Sequence, residues 1–293
     1  MTTCGARRGA SLAASVALLA AVGAGCSDTA EGPAPGQPAA GGPARTPSAG
    51  PVSHEYRPGL VAFPHLPQGV TSAPVVVMIP GGGWQTADPT GLEPLAAALA
   101  SEGVVAMPVV IRAGADGVVY PIPVEDVVCA LADGVATARE AGIQPTRAVL
   151  LGHSSGAHLS AVATLDPERY TPGCEDPVVA PDALVGLAGP YDLREFSDAA
   201  QNLFADDAPD ATWDGANPVV LAGNRPQVPV LLLHGGSDEL VPPTFSTDFA
   251  GALRASGHPV TLDVIPGVNH GEVYSAAVAA TPVGTWLAGL PKH

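Results

Sequence analysis

Three residues of the chain have the types that act together in nucleophilic catalysis: Ser154, Asp238 and His270. Each follows closely on an apolar run, and Ser154 lies between two glycines in the stretch 152–156. A serine hydroxyl is a weak nucleophile unless a base removes its proton, and that base needs an acid to orient it. We therefore predict Ser154 as nucleophile, His270 as general base and acid, and Asp238 as the acid that orients His270.

Six apolar runs alternate with helical patterns along the chain, which predicts parallel βαβ units. The runs predicted as strands are 73–80, 104–111, 148–152, 183–189, 228–235 and 259–267. The predicted helices are 92–103, 124–142, 155–165, 243–256 and 271–289. The predicted fold class is α/β, a doubly wound and mostly parallel sheet with helices on both faces. Ligands of such sheets bind beyond the carboxyl ends of the strands, where Ser154, Asp238 and His270 all fall.

Ser154 has the local context of a nucleophile elbow, which is a sharp turn between a buried strand and a helix. Side chains two residues to either side would collide across such a turn, and Gly152 and Gly156 have none. A second glycine-rich stretch, residues 81–83, follows the first long strand and exposes backbone N–H groups. We expect one oxyanion donor from this loop and another from the N–H of Ser155.

The chain from about residue 60 to 290 resembles an α/β-hydrolase of the esterase/lipase type. It is similar to the small acetyl-esterase, feruloyl-esterase-like and formamidase-like branch of that superfamily. The matching segments are PGGGW, GHSSGAHLS, GPYDL, HGGSDELVP and VNH. The resemblance implies a catalytic triad of Ser154, Asp238 and His270, which stand in the chain order of the family.

The same resemblance implies Gly82, Gly83 and Ser155 as the backbone donors of the oxyanion hole. The chain departs from the family pattern at Pro80, where the loop usually carries a histidine. That histidine supports the loop rather than doing chemistry, so its replacement leaves the predicted N–H donors in place.

Other acidic residues compete with Asp238 for the role of orienting acid. Glu239 adjoins it, Asp263 lies within a predicted strand, and Asp192 belongs to the GPYDL segment. The position after HGGS in the family pattern favours Asp238.

Other histidines compete with His270, and we predict structural roles for two of them. His158 lies one helical turn after Ser154, and His234 ends a predicted strand. A zinc site built from His153, His158 and His270 is not expected, because His153 and His158 do not have the i, i+4 spacing of helical zinc ligands. We predict no metal and no cofactor.

Three residues that follow strand ends are predicted to line the substrate pocket: Trp84, His153 and Tyr191. Core packing is the alternative for the two aromatic rings, although aromatic residues also suit a partly wet cleft. Residues 190–226 are irregular and rich in Asp and Pro, and we predict that they form a small lid. A small lid favours an open site and short acyl groups.

The first 26 residues predict a signal peptide, because Arg7 and Arg8 precede a short run of small apolar residues. The run ends in VGAGC, which resembles a bacterial lipobox with Cys26 as the lipid-bearing residue; plain secretion is the alternative. The arginine pair is weakly compatible with twin-arginine export. Residues 27–52 predict a flexible Pro/Gly/Ala linker, and 53–293 the catalytic domain.

The charge balance and the cysteine content limit which partners and which cellular compartment are expected. The chain has 12 Lys and Arg against 28 Asp and Glu, a net charge of −16, so a nucleic-acid partner is not expected. Cys129 and Cys174 remain in the domain predicted to be exported. An oxidising compartment favours a disulfide between them, and two separate buried thiols are the alternative.

These observations predict an exported serine hydrolase, either secreted or held at the cell surface by the lipid. Its partner is a small-molecule carboxylic ester with a short acyl chain, cleaved through an acyl-enzyme on Ser154. An amidase or formamidase with the same triad is the alternative, and a non-catalytic binding protein on the same scaffold is a further one. A membrane is expected as a partner only through the lipid, and the oligomeric state stays open.

Overall fold

The computed structural model describes residues 53–170 and 173–291. The predicted signal peptide, the lipidation site Cys26 and the linker 27–52 lie outside the described residues. Within the two described ranges, no helix is both long and apolar enough to cross a bilayer.

A six-stranded parallel sheet forms the centre of the domain, and a short antiparallel hairpin of two strands, which was not predicted, precedes it. The strands are β1 (His54–Arg57), β2 (Leu60–Ala62), β3 (Ser72–Ile79), β4 (Val105–Pro108), β5 (Gln144–His153), β6 (Ala183–Leu187), β7 (Val230–Gly235) and β8 (Val260–Ile265). Strands β1 and β2 form the hairpin, and the order in the parallel sheet is β4-β3-β5-β6-β7-β8. The predicted α/β class with a mostly parallel sheet is confirmed.

Eight α-helices accompany the sheet within the described residues. They are α1 (Glu93–Ser101), α2 (Ile122–Glu140), α3 (Ser155–Leu165), α4 (Ser197–Ala200), α5 (Asp210–Gly215), α6 (Pro218–Leu221), α7 (Thr244–Ala255) and α8 (Ala276–Gly289). Helices α1 and α8 pack on one face of the sheet, and α2, α3 and α7 pack on the other. Two glycines with left-handed backbone follow α1 and α2, Gly103 with φ 91° and Gly142 with φ 76°.

The central strands are buried on both faces, which explains why they read as continuous apolar runs. In β3, Val75 and Val77 belong to the core beneath α2 and α3, whereas Val76 and Met78 belong to the core beneath α1 and α8. Because all the strands of the sheet pair in parallel, the carboxyl ends of β3, β5, β7 and β8 lie along one edge of the sheet. The loops that carry the predicted site residues all leave from that edge.

Cys129 of α2 and Cys174 are joined by a disulfide. The bridge connects α2 to the connection between α3 and β6, across a sequence separation of 45 residues. Of the two alternatives that the sequence allows, the structure therefore has the disulfide rather than two separate thiols.

Candidate active site

Ser154 occupies a strained turn between the end of β5 and the start of α3. Its backbone has φ 54° and ψ −124°, a region that costs a residue with a side chain about 1–3 kcal/mol. A Cβ on Gly152 would overlap the backbone of Gly156, and a Cβ on Gly156 would overlap the carbonyl oxygens of Ile79 and Pro80. Both glycines are therefore required by close backbone approach, as a nucleophile elbow demands.

The structure brings Ser154, His270 and Asp238 into one hydrogen-bonded line. The Ser154 hydroxyl donates to Nε2 of His270 over 2.9 Å, and Nδ1–H of His270 donates to Oδ2 of Asp238 over 2.7 Å. The other carboxylate oxygen of Asp238 accepts hydrogen bonds from the backbone N–H groups of Leu240 and Val241. The carboxylate is thus held as an acceptor and fixes the tautomer in which Nε2 can take the proton of Ser154.

The other acidic residues considered for this role do not bond to His270 in the described structure. Glu239 is exposed beside Asp238, and Asp263 is exposed on the edge strand β8. The carboxylate of Asp192 accepts hydrogen bonds from Nδ2 of Asn217 and from the backbone N–H of Arg194. Asp238 is the acid whose carboxylate bonds to His270.

His234 supports the loop that carries Asp238. Its Nε2–H donates to the backbone carbonyl of Val241 over 2.8 Å and lies 3.3 Å from Oδ2 of Asp238, while Nδ1 accepts from Oγ of Ser246. Burial lowers the pKa of His234, which favours this neutral, fully bonded ring. Its structural role agrees with the sequence prediction, but the contact with Asp238 was not predicted.

The glycine-rich loop after β3 has consecutive residues with positive φ. The values are 149° for Gly82, 59° for Gly83 and 59° for Trp84. Among residues 53–170 and 173–291, no acceptor bonds to the backbone N–H of Gly82, Gly83 or Ser155. Since Ser155 opens helix α3, its N–H also carries the positive end of the helix dipole. These free donors around Ser154 can bind a negatively charged oxygen.

Four hydrogen bonds fix the position of this loop. The indole N–H of Trp84 donates to Nδ1 of His158 over 3.2 Å, and Nε2–H of His158 donates to the carbonyl of Ala216 over 2.7 Å. The amide of Asn202 donates to the carbonyl of Gly83, and the N–H of Gly114 donates to the carbonyl of Trp84. Together these hydrogen bonds hold the loop in the conformation that leaves the N–H groups of Gly82 and Gly83 unbonded among the described residues.

The cleft beside Ser154 has a volume of about 340 Å³. It is lined by Pro80, Gly81, Gly82, Gly83, Asp88, Gly91, Leu92, His153, Ser154, Leu240, His270 and Tyr274. No residue of 190–226, all of which the structure describes, belongs to this lining. That segment forms α4 to α6 and contacts the predicted oxyanion loop, residues 81–84, through Asn202 and Phe196, rather than lining the cleft as the predicted lid would. A second cavity, of about 990 Å³, includes Tyr170 and Arg225 but none of Ser154, Asp238 and His270.

Two of the three predicted pocket residues are corrected by the structure. Trp84 is 3% exposed and its ring packs on His158 and Phe196, while Tyr191 is fully buried and stacks on Phe249 of α7 at a centroid distance of 4.4 Å. Both rings belong to the core, which was the alternative reading. His153 does line the cleft.

The BD-FAE family model matches residues 65–253, which is more than half of the chain. The chain belongs to the BD-FAE family. The match spans the glycine-rich loop 81–84, the Ser154 turn and Asp238, whereas His270 follows it. The predicted relationship to α/β-hydrolases of the esterase type is thereby confirmed.

Curated relatives of this BD-FAE protein include two from Mycobacterium tuberculosis. The probable carboxylic ester hydrolase LipM is 31% identical over 215 residues, which cover 68% of this chain and 49% of LipM. The esterase LipC is 30% identical over 217 residues, covering 68% of this chain and 53% of LipC. The chain therefore spans about half the length of these relatives.

Solved structures agree on the fold of the BD-FAE protein. An acetyl ester-xyloside bifunctional hydrolase from Caldicellulosiruptor lactoaceticus superposes with a TM-score of 0.67 at 22% identity, over 78% of this chain and 87% of that protein. The thermophilic esterase Est2 of Thermogutta terrifontis has a TM-score of 0.66 at 22% identity, over 82% and 90%. At this identity the likeness establishes the fold alone.

In the BD-FAE protein, His153 steadies the backbone of His270. Its Nε2–H donates to the carbonyl of His270 over 3.0 Å, and its ring contacts the rings of His270 and Tyr274 at centroid distances of 4.8 and 4.3 Å. Burial, and then the neighbouring His270, lower the pKa of His153 to about 3. The ring is therefore neutral at ordinary pH. Tyr274, four residues after His270, is a cleft residue that was not predicted.

The histidines of the BD-FAE protein do not form a metal site in the described part of the chain. No group of three or more His, Cys, Asp and Glu side chains is arranged there to hold an ion. His153 contacts His270, whereas His158 bonds to Trp84 and Ala216, so these three histidines do not converge.

We expect the stability of the BD-FAE protein to fall with decreasing pH, in part through His158. Burial lowers the pKa of His158 to about 4, while the unfolded chain protonates this residue near 6.5. The contribution is complete above pH ~6.5 and is lost as the pH falls toward ~4, at about 1.4 kcal/mol per pH unit and about 3 kcal/mol in all. Urea unfolding at several pH values measures it.

The variant His158→Gln is the matched comparison, because a glutamine amide can also accept from Trp84 and donate to Ala216. Between pH 6 and 4 its free energy of unfolding should fall less steeply than that of the wild type, by about 1 kcal/mol per pH unit. Carboxylate titrations are common to both proteins and cancel in the difference. Equal slopes would show that His158 is not held neutral.

Proposed function

We propose that this protein is a serine hydrolase that cleaves carboxylic esters through an acyl-enzyme on Ser154. The observation that carries the proposal is the hydrogen-bonded line from Asp238 through His270 to Ser154, beside unbonded N–H groups of Gly82, Gly83 and Ser155. The names of the relatives LipM and LipC support ester hydrolysis.

In the first half of the reaction, Oγ of Ser154 attacks the ester carbonyl carbon while Nε2 of His270 takes the hydroxyl proton. The carbonyl oxygen becomes an oxyanion, which accepts hydrogen bonds from the free backbone N–H groups. Asp238 stabilises the imidazolium that forms and does not itself take the proton. The tetrahedral intermediate collapses when His270 gives this proton to the departing alcohol oxygen, which leaves an acyl group on Ser154.

In the second half, a water molecule replaces the alcohol. His270 removes one proton from the water as its oxygen attacks the acyl carbon, and the same backbone donors stabilise the second oxyanion. The intermediate collapses as the proton on His270 returns to Oγ of Ser154. The products are the carboxylic acid and a regenerated serine, so the net change is addition of one water molecule across the ester.

We further propose a preference for short acyl chains. The cleft is small, and its walls are the side chains of Leu92, Leu240 and Tyr274 together with the glycine-rich loop. The acyl part and the alcohol part of the ester must share a volume of about 340 Å³. An acyl chain of eight carbons would extend out of the cleft and gain little from its length.

A panel of chromogenic substrates tests both statements with the purified protein. We expect kcat/KM for p-nitrophenyl octanoate to be no higher than that for the acetate and butyrate, because one buried methylene contributes about 0.8 kcal/mol only where a pocket receives it. The matched amide, p-nitroacetanilide, should be cleaved more slowly than the acetate. Faster cleavage of the amide would favour an amidase, and no cleavage of any ester would contradict the proposal.

We also propose that the protein is exported and carries a lipid on Cys26. The leader with Arg7 and Arg8 and the Pro/Gly/Ala composition of 27–52 support it, and a disulfide between Cys129 and Cys174 suits an oxidising compartment. Mass spectrometry of the native N-terminus should find an acylated Cys26. An unmodified N-terminus near this residue would indicate plain secretion, and an intact leader would contradict export.

A further inference from the structure

Asp88 places a carboxylate in the wall of the proposed ester-binding cleft, four residues after Trp84 of the oxyanion loop. The side chain is exposed, and its Oδ1 accepts hydrogen bonds from the backbone N–H and the hydroxyl of Thr90, over 2.9 and 2.6 Å. These bonds lower the pKa of Asp88, the hydroxyl contributing most. Its second oxygen has no hydrogen-bond partner in the described chain, so a negative charge faces the surroundings of the cleft.

Among the described residues that line the cleft, none is Lys or Arg, so none of them carries a fixed positive charge that balances Asp88. Arg57 and Arg112 both pair with buried Asp126, at 3.1 and 2.7 Å, and Arg194 pairs with two exposed aspartates of α5. Arginines that are already paired with carboxylates offer little attraction to a substrate anion.

Further acidic residues surround the loops that carry the triad. Glu239 directly follows Asp238, Glu272 lies two residues after His270, and both are exposed. The chain as a whole carries a net charge of −16. Because like charges repel and a cleft with low-dielectric walls focuses the field of the charges around it, a negative group on the substrate meets an unfavourable potential here.

We propose that Asp88 is a specificity-determining residue that makes this site select neutral and cationic esters over anionic ones. The inference rests on the proposed ester hydrolysis and names the charge class of its substrates. Selection arises from repulsion of the disfavoured class as much as from attraction of the favoured one. The substrate charge need only lie within about one Debye length of Asp88, which is about 10 Å at 0.1 M salt.

The local structural role of Asp88 can be separated from its charge. Asp88 caps the short 3₁₀ turn Pro89–Leu92 through Thr90. Asparagine and serine are also good N-cap residues, so Asp88→Asn and Asp88→Ser remove the charge and retain a cap. Two variants with different side chains guard against a local distortion in either one.

Three aryl acetates of similar size measure the selection: 3-acetoxybenzoate as the anion, 3-acetoxybenzamide as the neutral ester and 3-(trimethylammonio)phenyl acetate as the cation. For each protein, kcat/KM for the charged esters is divided by kcat/KM for the neutral ester. Comparing these ratios between proteins cancels the intrinsic reactivity of the leaving groups. The matched control is Asp248→Asn, which removes one exposed carboxylate from α7, away from the cleft lining.

In Asp88→Asn and Asp88→Ser we expect the anion-to-neutral ratio to rise about threefold or more and the cation-to-neutral ratio to fall by a similar factor. Asp248→Asn should keep both ratios close to those of the wild type. Raising the salt concentration from about 0.05 M to about 1 M should shift the ratios of the wild type toward those of the Asp88 variants.

The result that overturns the inference is hydrolysis of the neutral ester by all proteins, with the ratios of both Asp88 variants equal to those of Asp248→Asn. That outcome leaves the proposed ester hydrolysis intact. Failure of the wild type to hydrolyse any of the three esters overturns the proposed function itself, so the two failures are distinguishable.

Discussion

Replacing Ser154 by alanine is expected to lower kcat/KM for p-nitrophenyl acetate by at least about 10⁴-fold. The variant removes the oxygen that attacks the carbonyl carbon, and no other hydroxyl bonds to His270 among the described residues. The oxyanion donors remain, so a small residual rate above that of water is expected. Initial rates with purified wild type and variant measure the effect.

Ser160→Ala is the matched control for this experiment. Ser160 lies on the same helix α3, is fully buried, and its hydroxyl has no hydrogen-bond partner in the described part of the protein. Loss of an unbonded hydroxyl costs little, so kcat/KM should stay within about twofold of the wild type. Equal activity of Ser154→Ala and Ser160→Ala would exclude Ser154 as the nucleophile.

Replacing Asp238 by asparagine is expected to lower kcat by about 10⁴-fold while the protein remains folded. The Asn amide can donate toward Nδ1 of His270, which favours the tautomer with the proton on Nε2. In that tautomer His270 cannot accept the proton of Ser154. The contact with His234 also loses its charged partner, so a modest loss of stability should accompany the loss of activity. Steady-state kinetics and thermal unfolding separate the two effects.

Glu239→Gln provides the control, since it neutralises the adjacent acid in the same loop. Glu239 is exposed and has no bond to His270, so kcat should stay within about twofold of the wild type. A larger loss in Glu239→Gln than in Asp238→Asn would reverse the assignment of the orienting acid.

The sheet and the meeting of Ser154, Asp238 and His270 could be predicted from the sequence for a shared physical reason. Strands that are buried on both faces read as continuous apolar runs, and parallel strands bring their carboxyl ends to one edge. Ser154, Asp238 and His270, which span 116 positions in sequence, were therefore expected to meet once the strands were recognised. The two short strands β1 and β2 were missed because runs of three or four residues give little periodicity to detect.

The pocket walls could not be predicted in the same way, because a position after a strand end does not fix where a side chain points. Trp84 has a φ of 59°, and its indole finds a hydrogen-bond acceptor in His158. Tyr191 folds back beneath Gly186, where a Cβ would overlap the tyrosine hydroxyl, and its ring stacks on Phe249. Both partners are distant in sequence, so only the tertiary structure assigns these rings to the core.

The surface that residues 190–226 cover could not be predicted from the sequence either. The composition of this segment indicates irregular backbone, and composition cannot say which surface that backbone covers. In the structure the segment supplies Ala216, directly after α5, and Asn202, two residues after α4, which bond to His158 and to Gly83 of the glycine-rich loop. The segment therefore supports the site from behind, through contacts that depend on the position of helix α3.

Covalent trapping with a fluorophosphonate tests the central claim most directly, because such a reagent modifies a serine only where a base and an oxyanion hole activate it. After treatment of the folded wild type, peptide mass spectrometry should find a single adduct, on Ser154, and Ser154→Ala should carry none. Absence of any adduct on the folded wild type, or an adduct that persists in Ser154→Ala, would contradict the account.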